Sequence, residues 1–223
     1  MSRIGKRVIT IPQGVTVEAS NTLLPVAGSI GYLVSVTGSN GTVLVQEVKA
    51  PIQVSIRDNC VIVERMNDES QSKALHGLYN RLIQNMITGV TDGFTKTLIL
   101  NGVGYKANMK GEDLVLNLGK SHPDEIKAEK GIKVKILTPA EIQTLNLGKE
   151  GVGVVIQVSG ANNAQVGQFA SKIRACRPVE PYYMYGIRYS DEHIIRKETK
   201  KAKGGKGGGG KAGGAAGAKG GKK

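Results

Sequence analysis

Tryptophan is absent from this 223-residue chain and phenylalanine occurs only twice, so aromatic residues make up just 4% of it. A core must therefore come from Val, Ile, Leu and Ala, and a hydrophobic content of 39% is enough for the chain to fold. Cysteine is scarce, with Cys60 and Cys176 far apart. Two distant cysteines make no disulfide framework, and both are expected to be reduced and structural. No window approaches 18 consecutive apolar residues, which argues against a transmembrane helix. The start MSRIGKRVITIP lacks the apolar run of roughly 7–15 residues that a signal peptide needs, so a cytoplasmic protein is expected.

Patterns that support catalysis or metal binding are also missing. His76, His122 and His193 show no H-E-x-x-H or Cys/His ligand spacing, and no cofactor is expected. No Ser, Cys or Lys stands in a nucleophile motif. Gly119-Lys120-Ser121 resembles the end of a phosphate-binding loop, but Leu114 stands where the loop's first glycine belongs, and His122-Pro123 follows where a helix should start. GVGYKA at residues 102–107 matches G-x-G-x-x-A and follows a strand-like run. The fingerprint requires a helix to begin there; YKANM alternates instead, and Gly111 and DLVLNL come next, so a hairpin is expected. A nucleotide-binding enzyme using Gly102 and Gly104 is the alternative reading. The acid pairs Asp68/Glu69, Asp124/Glu125 and Asp191/Glu192 fit caps and solvated turns better than acid–base work.

Acid is in short supply. Against 31 Lys and Arg there are 18 Asp and Glu, for a net charge of +13. Residues 200–223 contain only Lys, Gly and Ala, and their eight lysines, taken from +13, leave +5 for the rest. Such a balance calls for a polyanionic partner, most commonly nucleic acid. An anionic membrane surface would attract the tail too. With no apolar periodicity, the tail is expected to be disordered, and as a coil of 24 residues it would span roughly 25–30 Å.

Residues 8–65 read as short strands, VITI, VTVEA, YLVSV, TVLVQEV, IQVSI and CVIVE, separated by Gly, Asn, Ser or Pro. The pair Asn40-Gly41 suggests a tight hairpin turn. A helix follows, with Asp68 as its expected cap and Leu75, Leu78, Leu82, Met86 and Val90 as its apolar stripe. The plan then repeats. FTKTLIL, VGYKANM, DLVLNL, IKVKIL and VGVVIQV are strand-like. A second helix, capped by Asn162 or Asn163, carries Val166, Phe169, Ala170 and Ile173 on its apolar side and ends at Pro178. The expected fold class is α+β: two tandem similar domains, each an antiparallel sheet packed by a helix, plus a disordered C-terminal tail. The first domain is expected over residues 1–91, the second over 92–190, and the basic tail over 191–223.

The densest chemistry lies at residues 172–189, KIRACRPVEPYYMYGIRY. It holds Lys172, Arg174, Arg177 and Arg188 and four of the seven tyrosines, with Pro178 and Pro181 stiffening its middle. Guanidinium groups and flat rings on an extended segment suit phosphates and unstacked bases. The structural alternative is that Arg174 and Arg177 favour a helix end and the tyrosines pack on the sheet.

RPVEPY…GIRY resembles the C-terminal signature of bacterial-type large-ribosomal-subunit protein six. MSRIGKRVITIPQGVTV, ALHGLYNRLIQNMITGVTDGF, LNGVGYKA and LGKSHPDEI resemble that family's N-terminus, first helix, second-domain hairpin and following turn. The resemblance covers nearly all of residues 1–197. It implies two domains arising from duplication and binding to large-subunit rRNA, chiefly through the second. It also implies a position near the sarcin–ricin loop and stalk base, beside neighbouring ribosomal proteins and translational GTPases, with no enzymatic activity and no membrane partner. Carried over by position, the RNA-facing residues are Gly104, Tyr105, Lys106, Lys172, Arg174, Arg177, Pro181, Tyr182, Gly186, Arg188 and Tyr189. Arg196, Lys197, Lys200, Lys201 and Lys203 extend the expected basic surface into the tail. Tyr183-Met184-Tyr185 stands where the family usually carries Lys-Gly-Lys, and residues 20–36 and 138–151 look longer than the usual loops.

Eight tail lysines, if all engaged, would steepen the log–log salt dependence of RNA binding by roughly 6–7 units, at about 0.7–0.9 per phosphate. A Gly-rich tail holds no fixed geometry, so fewer are expected to engage. Deleting residues 200–223 should therefore flatten the salt slope and leave the choice of RNA site intact. Footprinting the truncated chain checks this; a lost or displaced footprint would be the contrary result.

Overall fold

The computed structural model describes residues 4–23, 30–144 and 153–199, and every strand pairing in it is antiparallel. Residues 200–223, with Lys200, Lys201 and Lys203, lie outside the described residues, whereas 191–199, expected as the start of the tail, are described.

The first half contains β1 (Ile9–Thr10), β2 (Thr16–Leu23), β3 (Ile30–Thr37), β4 (Val43–Lys49), β5 (Ile52–Arg57), β6 (Cys60–Arg65) and helix α1 (Ser70–Thr91). Its strands divide between two sheets, ordered β1-β6-β5 and β2-β3-β4. Both pack on α1 around one cluster that includes Val34, Val36, Val61 and Ile83, each fully buried. Much of the long 20–36 segment is strand: the β2–β3 ladder runs from Thr16↔Thr37 to Leu23↔Ile30. Residues 24–29 lie outside the described residues.

The second half contains β7 (Phe94–Asn101), β8 (Lys106–Lys110), β9 (Asp113–Asn117), β10 (Asp124–Ile126), β11 (Ile132–Leu137), α2 (Pro139–Thr144), β12 (Val154–Gly160), α3 (Asn163–Cys176) and β13 (Gly186–Tyr189). Its sheets are ordered β10-β9-β8 and β11-β12-β7-β13. The alternation of side chains along a strand explains the unbroken Leu98-Ile99-Leu100 run. Leu98 and Leu100 join the core under α3, while Ile99 joins Leu137, Ile142 and Val155 on the opposite face, beneath α2. A sheet covered on both faces needs no polar residues in its central strand. The expected stripe of α3 is all buried, and Asn162 caps the helix by accepting from the Ala164 N–H at 3.0 Å.

Several details differ from the sequence reading. Asp68 does not cap α1; the N-cap is Glu69, without a side-chain bond, and Asp68 pairs with Arg65 at 2.7 Å. The expected α1 stripe holds except at Leu78: Met86 and Val90 are buried and Leu75 and Leu82 pack against the core, but the buried face is broader than the stripe. Leu78 is 51% exposed, whereas His76, Tyr79, Asn80, Ile83, Met86, Ile87 and Val90 face the core. Polar groups claim that face because strand and segment backbones need partners there. The Tyr79 hydroxyl accepts from the Lys49 N–H at 3.2 Å. His76 Nε2 lies 2.8 Å from the Val63 carbonyl and Nδ1 lies 3.3 Å from Arg65. Both ring nitrogens of His76 are thus engaged inside the protein. The residues that take positive φ together in a two-residue turn are Asp58 and Asn59, at 46° and 61° between β5 and β6, rather than Asn40-Gly41, where only Gly41 does. The α1 terminus is pressed toward the second half: a Cβ on Gly89 would sit 2.0 Å from the Ala161 carbonyl oxygen.

Asn80 ties the N-terminal segment to α1, donating to the Gly5 and Arg7 carbonyls at 3.2 and 2.8 Å. Asn80→Ala leaves those carbonyls without that partner in a buried setting, and a loss of about 1–3 kcal/mol of stability is expected. Chemical denaturation measures it, and proteolysis should nick the segment before β1 first.

Candidate nucleic-acid interface

The position of the basic, tyrosine-rich segment follows from one strand pairing. β13 lies beside β7 with Gly186 opposite Asn101 and Tyr189 opposite Leu98. Chain entering β13 and chain leaving β7 therefore meet at one end of the sheet. The entering segment is the 177–185 loop, and the leaving one is the Gly102–Tyr105 turn into β8. Asn101 Nδ2 lies 3.5 Å from the Met184 carbonyl, between the two.

The loop is closed by its own backbone. Ile187 N–H donates to Arg177 O at 2.9 Å, Glu180 N–H to Tyr185 O at 2.9 Å, and Met184 N–H to Glu180 O at 3.0 Å. Gly186 sits at φ 137° where a Cβ would come within 2.7 Å of Pro178 O and Val179 Cα, so no side chain fits. Beyond β13 the chain turns back over the loop. Lys197 N–H donates to Pro181 O at 3.0 Å and Arg196 Nε to Tyr182 O at 3.1 Å.

The candidate residues separate by what holds them. Arg177, Arg196, Lys197, Lys106, Gly104 and Tyr182 are exposed, and Pro181 is half-buried beneath the returning strand of chain. Tyr105 turns inward: its ring packs against the second core and over Gly102, where a Cβ would lie 2.4 Å from ring carbons. The glycine at position 102 thus accommodates the chain's own tyrosine. No helix starts at GVGYKA, so the helix terminus that a dinucleotide fingerprint requires is not there.

Lys172 and Arg174 lie on α3 away from its apolar stripe, and both have acid partners within the chain. Lys172 pairs with Glu129, which is also partly exposed. Arg174 makes a two-pronged contact with Glu192, Nε to Oε2 at 3.0 Å and NH2 to Oε1 at 2.5 Å. Its guanidinium carbon lies 5.9 Å from the Tyr189 ring centroid, and Lys96 Nζ lies equally far from that ring. Tyr189 also packs against the second core, so it acts as a hub inside the protein. Arg188, between Tyr189 and the buried Ile187, is half-buried. The Arg174 guanidinium holds the Glu192 carboxyl below its usual range, helped by the Tyr189 N–H and opposed by burial.

Glu192 was legible only as a turn residue; its pairing with Arg174 joins positions 18 apart. Asp124, expected beside a turn, is in strand β10 and pairs with Lys120 at 2.8 Å. Cys176 donates to the Lys172 carbonyl at 3.4 Å, and burial pushes its thiol up, as a structural cysteine requires. Among the described residues no His, Cys, Asp and Glu side chains gather as a metal site, and no helix is long and apolar enough to cross a membrane.

The family model described as "Ribosomal protein L6" matches residues 11–93 and again 101–190. The chain belongs to the ribosomal protein L6 family. Its relatives include the large ribosomal subunit protein uL6 of Mycoplasma capricolum, 40% identical over 202 residues, covering 91% of this chain and 99% of the relative. The uL6 proteins of Listeria welshimeri and Clostridium acetobutylicum are 41% and 44% identical over 200 residues, covering 90% of this chain and 98% of each relative. The two matched stretches agree with a tandem α+β architecture, and in L6 terms the loop before β13 belongs to the second repeat.

The Arg174–Glu192 pair generates a pH prediction. Its carboxyl titrates lower in the folded chain than in the unfolded one, so its contribution is present above the unfolded carboxylate pKa and lost as pH falls through the folded one. Glu192→Gln should cost less than about 1 kcal/mol at neutral pH, because the pair is partly exposed. It should also reduce the loss of stability on acidification below about pH 4. Thermal unfolding of both proteins across pH 3–7 checks the direction.

Proposed function

We infer that this chain binds large-subunit rRNA, chiefly through its second half, near the sarcin–ricin loop and stalk base, where it supports the region in which translational GTPases dock. It is a ribosomal protein of the large subunit by family, so rRNA and neighbouring ribosomal proteins are its partners. Its role is structural, with no reaction of its own. The observation that carries the reading is the set of exposed cations, Lys106, Arg177, Arg196 and Lys197, on the segments that meet where β7 ends and β13 begins.

Pairing of these side chains with phosphates releases counterions and supplies affinity without reading sequence. Placement comes from the fold: the loop is held by backbone bonds and by Gly186, so its cations approach the RNA in a set arrangement. Lys172 and Arg174 contribute less charge than their sequence suggests, since Glu129 and Glu192 already balance them. Tyr105 and Tyr189 serve by shaping the surface from within.

Replacing Lys106 and Arg177, both exposed, together by Ala should weaken binding to the rRNA and lower the salt slope by about 1.4–1.8 units, with the melting curve unchanged. Titrations at several salt concentrations beside a thermal melt test this. Unchanged affinity with an unchanged melt would remove both side chains from the RNA-binding surface.

A further inference from the structure

The 181–185 loop leaves three rings in water: Tyr182 is 40% exposed, Tyr183 57% and Tyr185 38%. The whole chain has seven tyrosines and two phenylalanines, so a third of its aromatic residues stand exposed in five consecutive positions. Tyr183 and Tyr185 stack on each other with centroids 5.8 Å apart and planes 16° from parallel. Met184 between them has φ 61°, which a side chain disfavours, and the two Glu180 backbone bonds hold it there. Neither ring belongs to the second core, which takes Tyr105 and Tyr189.

We propose that the stacked Tyr183–Tyr185 pair is a platform for one unpaired base of the RNA, resting on the reading that the chain binds rRNA. A base cannot enter between the rings, since two stacking contacts of about 3.5–4 Å each need more room than the pair leaves. It caps an outer ring face. The surroundings favour a nucleotide over an apolar protein surface. Arg177, Arg196 and Lys197 border the loop and are exposed, against two exposed acids in the same segments, Glu180 and Glu198. Cations for the phosphate and a flat ring for the base are the two parts of a single-strand binding site. Arg196 spends one donor on Tyr182 O, and its guanidinium has others. The loop is already closed by backbone bonds, so little ordering is needed on binding.

The test compares the full chain with three variants on protein-free large-subunit rRNA: Tyr183→Ala, the double alanine variant at 183 and 185, and the double phenylalanine variant. Loss of the platform should weaken binding about 10- to 100-fold in the double alanine variant, the range one stacked base supplies. Its salt slope should stay unchanged, because no charge is removed. The phenylalanine variant, which keeps the rings and the loop, should bind within about 2-fold of the unmodified chain. As a measurement independent of the variants, ultraviolet irradiation of the unmodified complex should link a nucleotide to a peptide containing residues 182–185. Unchanged affinity in the double alanine variant, a phenylalanine variant as weak as the alanine one, or a crosslink from this peptide to a neighbouring protein would each overturn the platform alone. Failure of the unmodified chain to bind the RNA would remove the rRNA-binding reading and the platform with it.

Discussion

The antiparallel pairing of β13 with β7 is the constraint on which the second half's surface depends. It registers only four residues, yet it brings the loop before β13 to the turn after β7 and buries Ile187 in the core under α3. Gly186 makes the pairing possible, because the backbone enters the sheet pressed against Pro178 and Val179 at a φ closed to other residues. From that anchor the chain returns over the loop, and Arg196 and Lys197 come to lie on Pro181 and Tyr182.

Charge in this protein is divided between internal and outward use. Arg174 and Lys172 sit on a helix whose other face is core, and each meets an acid from a distant segment. Arg177, one turn later, is the helix C-cap and is exposed. A positive residue in a basic segment is therefore no measure of charge offered to a partner, because a facing carboxylate can neutralise it at short range.

Much of the fold was legible from the residues. The α3 stripe of Val166, Phe169, Ala170 and Ile173 and its Asn162 cap were readable because that buried face is purely apolar and the cap is local. The α1 face was readable only in part: Leu75, Leu82, Met86 and Val90 do meet the core, but its inward residues also include His76, Tyr79 and Asn80, buried for the backbone groups they bond. Hydrophobic periodicity gives such residues no weight and instead selected Leu78, which is exposed. The division of each half into two sheets was also hidden, because alternation marks strands without saying which strand lies beside which.

Sequence by itself determined the α+β class, the repeated plan, the basic balance and the segment in which the surface chemistry concentrates. Those properties are local or summed, set by spacing, turn residues and composition. Tertiary structure decided which members of that segment face outward. Tyr105 and Tyr189 went to the core, Arg174 to Glu192, and Tyr183 and Tyr185 to a stack in water. The reason is that each of those outcomes depends on a partner brought near by strand registration, and registration is a property of the assembled sheet.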